Sequence, residues 1–192
     1  MAIKRPEIPV PRKIQETLTM TDKGYFKPWF VQDQDFRVMD PKKWMRAMKE
    51  KRCFICGLRI TGEVMYMVHG PKSATNCCVS EPGGHRECME YALQVCPYIL
   101  YPNAKRREAG MPEGTNEGPE SNPLAELGNP GIYFITGAKR YMLHDSGHGY
   151  PLIGWNDNEV IYQARWVEGE KILERDGPLE WKEVWEGAQY PH

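Results

Sequence analysis

The spacing of apolar residues changes several times along the chain, and each change marks an element. From Gly24 to Val38, Tyr25, Phe26, Trp29, Phe30, Val31, Phe36 and Val38 surround the polar Gln32–Gln34, which predicts two short strands and a turn. Asp40-Pro41 then supplies a capping side chain and a proline at the first helical position, where its missing N–H costs nothing. Lys42 to Lys51 continues as a helix, with Trp44, Met45 and Met48 on one side and Lys42, Arg46 and Lys49 on another. Val64–His69 alternates as a strand, the second arm of a hairpin punctuated at Gly62 and ended by Gly70-Pro71. Residues 72–84 read as loop. Arg86 to Cys96 reads as a helix stopped by Pro97, with His85, Cys88, Met89, Ala92, Leu93 and Cys96 on one face and Glu87, Glu90 and Gln94 opposite.

Residues 102–131 hold five glycines and five prolines among charges, the composition of a loop or linker. Beyond it the pattern is β-like: 132–136, 139–143, 152–155, 160–167 and 170–173 are separated by glycine- and asparagine-rich breaks. A small antiparallel meander is the expectation. Asp176-Gly-Pro178 leads into 179–186, which reads as a short helix with Trp181 and Trp185 one turn apart. The division expected is a core over 1–101 that includes an N-terminal arm, a linker over 102–131, and a β unit with a terminal helix over 132–192.

Length and charge narrow the function classes. The 192 residues suffice for one domain, and 25 Lys+Arg against 26 Asp+Glu leave a net charge of -1. Such a balance lacks the field of a protein that coats nucleic acid, so any nucleic-acid contact would be local. The first residues carry charges and prolines without an apolar signal core, and no 18-residue apolar run occurs. A soluble, non-secreted, cytoplasmic protein is expected, and in that compartment its six cysteines serve as thiols and metal ligands.

Chemistry concentrates in Cys53-Phe-Ile-Cys56-Gly57 and His85-Arg-Glu-Cys88. A C-x-x-C turn supplies two corners of a tetrahedron, and positions i and i+3 at a helix start project to one side. Cys53, Cys56, His85 and Cys88 are therefore the candidate ligands of a Zn2+ ion. Four protein ligands close the coordination sphere, which points to a structural ion. Cys77 or Cys78, in a loop able to fold back, is the alternative to His85 as a ligand. Cys96 lies eight residues past Cys88 on the same helix, roughly 12 Å away along its axis, and reads as a core residue.

The order of knuckle, hairpin and ligand-bearing helix resembles a treble clef zinc finger. The likeness extends to the His-Asn-His type of nuclease, in which His69 would be the general base, although no second ligand set accompanies it. His144-Asp145-Ser-Gly-His148 could form another cluster but reads first as a connecting loop. Lys42, Lys43, Arg46, Lys49, Lys51, Arg52, Lys105, Arg106 and Arg107 are the candidates for local nucleic-acid contact. Trp181 and Trp185 on an acidic helix would suit a partner surface.

Lys27-Pro-Trp-Phe-Val31, Asp35-Phe-Arg-Val38, Arg52–Gly57, Gly70-Pro71 and Glu81-Pro82 through His85–Tyr91 to Cys96-Pro97 resemble a set of uncharacterised bacterial and phage proteins. The resemblance covers about residues 24–108 and brings no activity with it. Gly83-Gly84 depart from its pattern, where proline is expected. Together these readings predict an α+β protein: a treble-clef-like zinc-binding core with N-terminal strands and helix, plus a small antiparallel β-meander. The expected role is non-enzymatic, accessory or regulatory, through a protein partner, with nucleic-acid binding or a degenerate nuclease as the alternatives.

Overall fold

The computed structural model describes residues 8–22, 24–32, 38–101, 129–147, 151–180 and 183. In chain order these form α1 (Arg12–Thr17), α2 (Pro41–Glu50), β1 (Met65–His69), α3 (Pro71–Asn76), β2 (Cys78–Val79), α4 (Arg86–Val95), α5 (Pro97–Leu100), β3 (Ile132–Ala138), β4 (Met142–Asp145), β5 (Pro151–Gly154), a 3-10 turn (Asp157–Glu159), β6 (Val160–Val167) and β7 (Glu170–Arg175). All neighbouring strands pair antiparallel.

Every residue of β3 is buried, so it cannot be the half-solvated strand of a free meander. It lies in a four-stranded sheet of order β1-β3-β6-β7, while β4 and β5 leave to join β2 in a second sheet of order β2-β5-β4. Strands do follow residue 131, and β4 pairs with β5 and β6 with β7 as consecutive neighbours, but β3 does not pair with β4 nor β5 with β6. Ile132–Ala138 has apolar or small side chains on both faces and needs cover from two strands and from both sides. Met142–Asp145 is exposed along its length and serves as an edge.

The two faces of the larger sheet meet different layers. Tyr133, Ile135, Tyr162 and Ala164 share the α4 side, where Arg86 reaches the Tyr162 hydroxyl at 3.0 Å. Ile132 and Phe134 face the other way, against Leu179 and Ala74 of α3. Among the described residues, no helix is long and apolar enough to cross a membrane.

Local signals upstream act largely as expected. The Asp40 carboxylate accepts from the Lys42 and Lys43 amides, Pro41 opens α2, and the helix buries Trp44 and Ala47. Of the two strands expected over 24–38, neither forms among the described residues 24–32 and 38. That described part makes only isolated bridges, Met20 to Phe26 and Val31 to Met39, and Trp29 and Phe30 pack instead on the Cys53–Cys56 turn. The hairpin at Gly62 is also replaced: Arg59 bridges back to Arg52, which leaves β1 free to pair with β3. The expected loop at 72–84 contains α3, started by Pro71 at its first position, and β2. Of the terminal helix expected over 179–186, Leu179 and Glu180 are described and are not helical, Glu183 is described, and the rest, Trp181 and Trp185 included, lies outside the described residues.

Ile135 is fully buried and Ile172 is 57% exposed. Ile135→Ala should cost about 2–4 kcal/mol in urea unfolding, against less than about 0.5 kcal/mol for Ile172→Ala. Equal costs would show that β3 is not the centre of the core.

Candidate metal centre

The Cys53–Cys56 turn is shaped by its backbone before any ion is considered. The Gly57 amide donates to the Cys53 carbonyl at 2.8 Å, and the Cys53 amide donates to the Leu58 carbonyl at 2.8 Å. The Cys56 amide points at the Cys53 sulfur. Gly57 takes a φ of +76°, and a Cβ there would lie 2.6 Å from Cγ of Trp29. Glycine is therefore required both for the left-handed turn and for the indole packed upon it. Phe54, inside the knuckle, stacks on Phe30 with 3.8 Å between ring centroids, and the Trp29 amide donates to the Ile55 carbonyl at 2.7 Å. This is where the N-terminal aromatics go.

The second pair of donors arrives on α4. His85 is its N-cap residue and Cys88 lies in its first turn, where unsatisfied amides favour a thiolate. Delivery depends on Gly83-Gly84. Gly84 exchanges hydrogen bonds with Tyr66 of β1, at 2.8 and 3.1 Å, and the Phe54 amide donates to the Gly83 carbonyl at 3.1 Å. A Cβ on Gly83 would meet the Tyr66 carbonyl at 2.5 Å, and one on Gly84 would meet the Cys53 sulfur at 2.5 Å. Two residues without side chains thus let the chain pass between sheet and knuckle. This is the physical reason for the departure from proline noted in the sequence.

The ligand atoms of Cys53, Cys56, His85 and Cys88 all lie within 4.8 Å of one another, a cluster that could hold a metal ion. His85 Nδ1 stands 3.5 Å from the Cys56 sulfur and 3.9 Å from that of Cys88. The imidazole is oriented from behind, because His85 Nε2 lies 3.2 Å from the Arg59 carbonyl. A carbonyl only accepts, so Nε2 carries a proton, and Nδ1 is the ring nitrogen turned toward the sulfurs. The three cysteines are buried and His85 is half-buried.

Proton affinities follow from this crowding. Hydrogen bonds from Cys56 and Cys88 hold the Cys53 thiol well below its ordinary range, and Cys88, facing sulfurs at Cys53 and Cys56, is pushed well above it. The same two sulfurs, Cys53 and Cys56, raise His85 to about 10. Negative charge on sulfur is favoured wherever a positive group stands beside it, which is the electrostatic condition for a cation site. Lys13 of α1, ion-paired with Glu87 at 2.5 Å, adds positive charge at the edge of the cluster.

The other candidates lie elsewhere. Cys77 approaches the Asp157 carboxylate at 3.8 Å, and Cys78 pairs with Gly154 in the smaller sheet, so neither joins the cluster. Cys96 closes α4 and packs against the core. His69 is buried between Phe134 and Trp155. Its Nδ1 faces the Gly70 carbonyl at 3.2 Å and its Nε2 faces the Thr136 hydroxyl at 2.8 Å. Desolvation lowers it to about 4. With both nitrogens engaged and, among the described residues, no carboxylate bonded to it, His69 sits as a packing residue of the core. His144 lies over Gly154 on exposed β4, and Asp145 caps its own turn through the Gly147 amide. His148 lies outside the described residues.

The basic candidates are divided. Lys43 donates to the Val31 carbonyl, Lys51 to the Gly62 carbonyl, and Arg52 to the Gly57 carbonyl. Arg46 and Arg52 share Glu50. Lys42 and Lys49 stand exposed on α2, and Lys105, Arg106 and Arg107 lie outside the described residues. Comparison with protein-family models, curated proteins and solved structures found no match for this chain.

Two outcomes are expected. Gly84→Ala should weaken metal retention at least tenfold in chelator competition, whereas Gly62→Ala, with open space around it, should not change it. His69 carries a folded-state pKa below its unfolded value, so the unfolded chain binds the extra proton between pH 6.5 and about 4. Stability should fall as pH drops through that window, and His69→Gln should flatten that part of the profile relative to the parent.

Proposed function

We propose that the chain is a non-enzymatic accessory or regulatory protein, organised by one structural Zn2+ held by Cys53, Cys56, His85 and Cys88 in a treble-clef-like arrangement. The observation that carries this is the orientation of His85: with Nε2–H committed to the Arg59 carbonyl, Nδ1 is turned toward three sulfurs, where a cation would displace the proton they hold on it. The donor set fits the ion. Tetrahedral zinc, with bonds of ~2.3 Å to sulfur and ~2.0 Å to nitrogen, separates those atoms by about 3.5 Å. The separations of 3.5 and 3.9 Å from Nδ1 match that edge. Soft thiolates with one imidazole also favour zinc over oxygen-seeking cations.

A zinc ion so bound would act as a cross-link between knuckle and helix. The four donors complete its sphere, and Trp29, Phe30 and Phe54 cover the knuckle, an arrangement suited to holding shape. Engagement of Lys43, Arg46, Lys51 and Arg52 by their own chain favours a protein partner over nucleic acid.

Purified protein should contain one zinc per chain, and a strong chelator should lower its melting temperature by more than about 10 °C. That figure follows because metal-binding free energy becomes folding free energy, and each kcal/mol moves a chain of this size by roughly 2–4 °C. Absence of stoichiometric zinc, or melting indifferent to chelation, would overturn the zinc reading. Labelled DNA and RNA should show no retention at about 50 mM salt, where phosphate contacts are strong. Salt-sensitive retention would replace the protein partner with nucleic acid.

A further inference from the structure

On the face of the larger sheet opposite α4, a cavity of about 170 Å³ opens between the end of α3, the 3-10 turn and the segment after β7. Its walls include Cys77, Trp155, Gln163, Pro178 and Leu179, with Asp157 among the lining residues. None of these belongs to the four-donor cluster. The floor is built rather than accidental. His69 Nδ1–H donates to the Gly70 carbonyl, Thr136 donates to His69 Nε2, and the Gln163 amide donates to Thr136 at 2.7 Å. Gln163 Oε1 in turn accepts the Leu179 amide at 2.7 Å. This chain of hydrogen bonds uses both ends of the Gln163 side chain and fixes the wall formed by Leu179.

The charge of the lining is one-sided. Asp157 is its single formal charge, is exposed, and has no ion-pair partner among the described residues. Cys77 is no nucleophile: burial and the Asp157 charge push its thiol up to about 11, so it stands as a neutral wall. One carboxylate oxygen already faces that thiol at 3.8 Å. The remaining contact suits a compact ammonium better than a guanidinium, which seeks both oxygens at once. Trp155, Pro178 and Leu179 offer an apolar lining to an unbranched stem.

We propose that this cavity receives a lysine side chain of a protein partner, its methylenes against Trp155, Pro178 and Leu179 and its ammonium on the Asp157 carboxylate. The proposal rests on the reading of the chain as a protein-binding one but not on its zinc.

The test is an NMR titration of the full-length, metal-containing protein with Nα-acetyl-lysine N-methylamide and, separately, with the norleucine analogue, which has the same stem without the charge. The lysine derivative should move the Trp155 indole, Gln163 side-chain and Leu179 amide signals saturably. The norleucine derivative should bind at least tenfold more weakly, and Asp157→Asn should weaken the lysine derivative by a similar factor. Absence of saturable shifts at those three residues, or equal binding of the two derivatives, or indifference to Asp157→Asn, would overturn the proposal. Because Asp157 is exposed, its substitution leaves folding intact. Zinc content measured on the same sample separates failure here from failure of the metal reading.

Discussion

The passage of Gly83-Gly84 between β1 and the Cys53–Cys56 knuckle is the constraint on which the rest of the structure depends. These two residues bond to Tyr66 on one side and to Phe54 on the other, and they end at His85. The donor cluster and the main sheet are therefore not separate modules joined by a tether. A change in the spacing of either would be felt by the other, because backbone atoms already stand as close as van der Waals radii allow. The aromatic layer of Trp29, Phe30 and Phe54 reinforces the knuckle from outside and ties the N-terminal segment to it.

A second organising element runs through the sheet itself. The buried polar seam from Gly70 through His69, Thr136 and Gln163 to Leu179 crosses β1, β3 and β6 and ends in the chain after β7. Fully satisfied polar groups in a core add little net stability, but leaving one unpaired is expensive, so they penalise wrong registers. A shift of one residue in β3 would move Thr136 to the α4 side and strand both His69 and Gln163. Donor cluster and polar seam thus constrain opposite faces of one sheet.

Much of this was legible in the residues. The two short-spaced pairs of donors announce their own geometry, and the cap at Asp40-Pro41, the stop at Pro97 and the spans of the β strands follow local rules. What could not be read was pairing. Whether Ile132–Ala138 meets its neighbour in sequence or a strand more than sixty residues earlier depends on which surfaces remain uncovered, and only the complete fold decides that. The aromatics of 25–31 look like strand because large rings favour sheets, yet Trp29 and Phe30 serve here as a lid over the Cys53–Cys56 knuckle. Two signals were present and missed. Gly70-Pro71 is the same helix-opening device as Asp40-Pro41, and Gly83-Gly84 marks a close approach of backbones.

The distance in sequence between β1 and β3 has a consequence for the growing chain. Roughly sixty residues separate the two strands, so at ordinary rates of translation His69 is made on the order of 3–12 s before Ile132. Cys53 and Cys56 precede it, His85 and Cys88 follow early within it, and the strip at Gly84 can seal one flank of β1. The other flank must wait with its amides and carbonyls bare, a template for any extended neighbour. Newborn chains held close together on a polysome are the nearest such neighbours, which makes the pace of synthesis between codons 70 and 132 a determinant of how much protein reaches its native form.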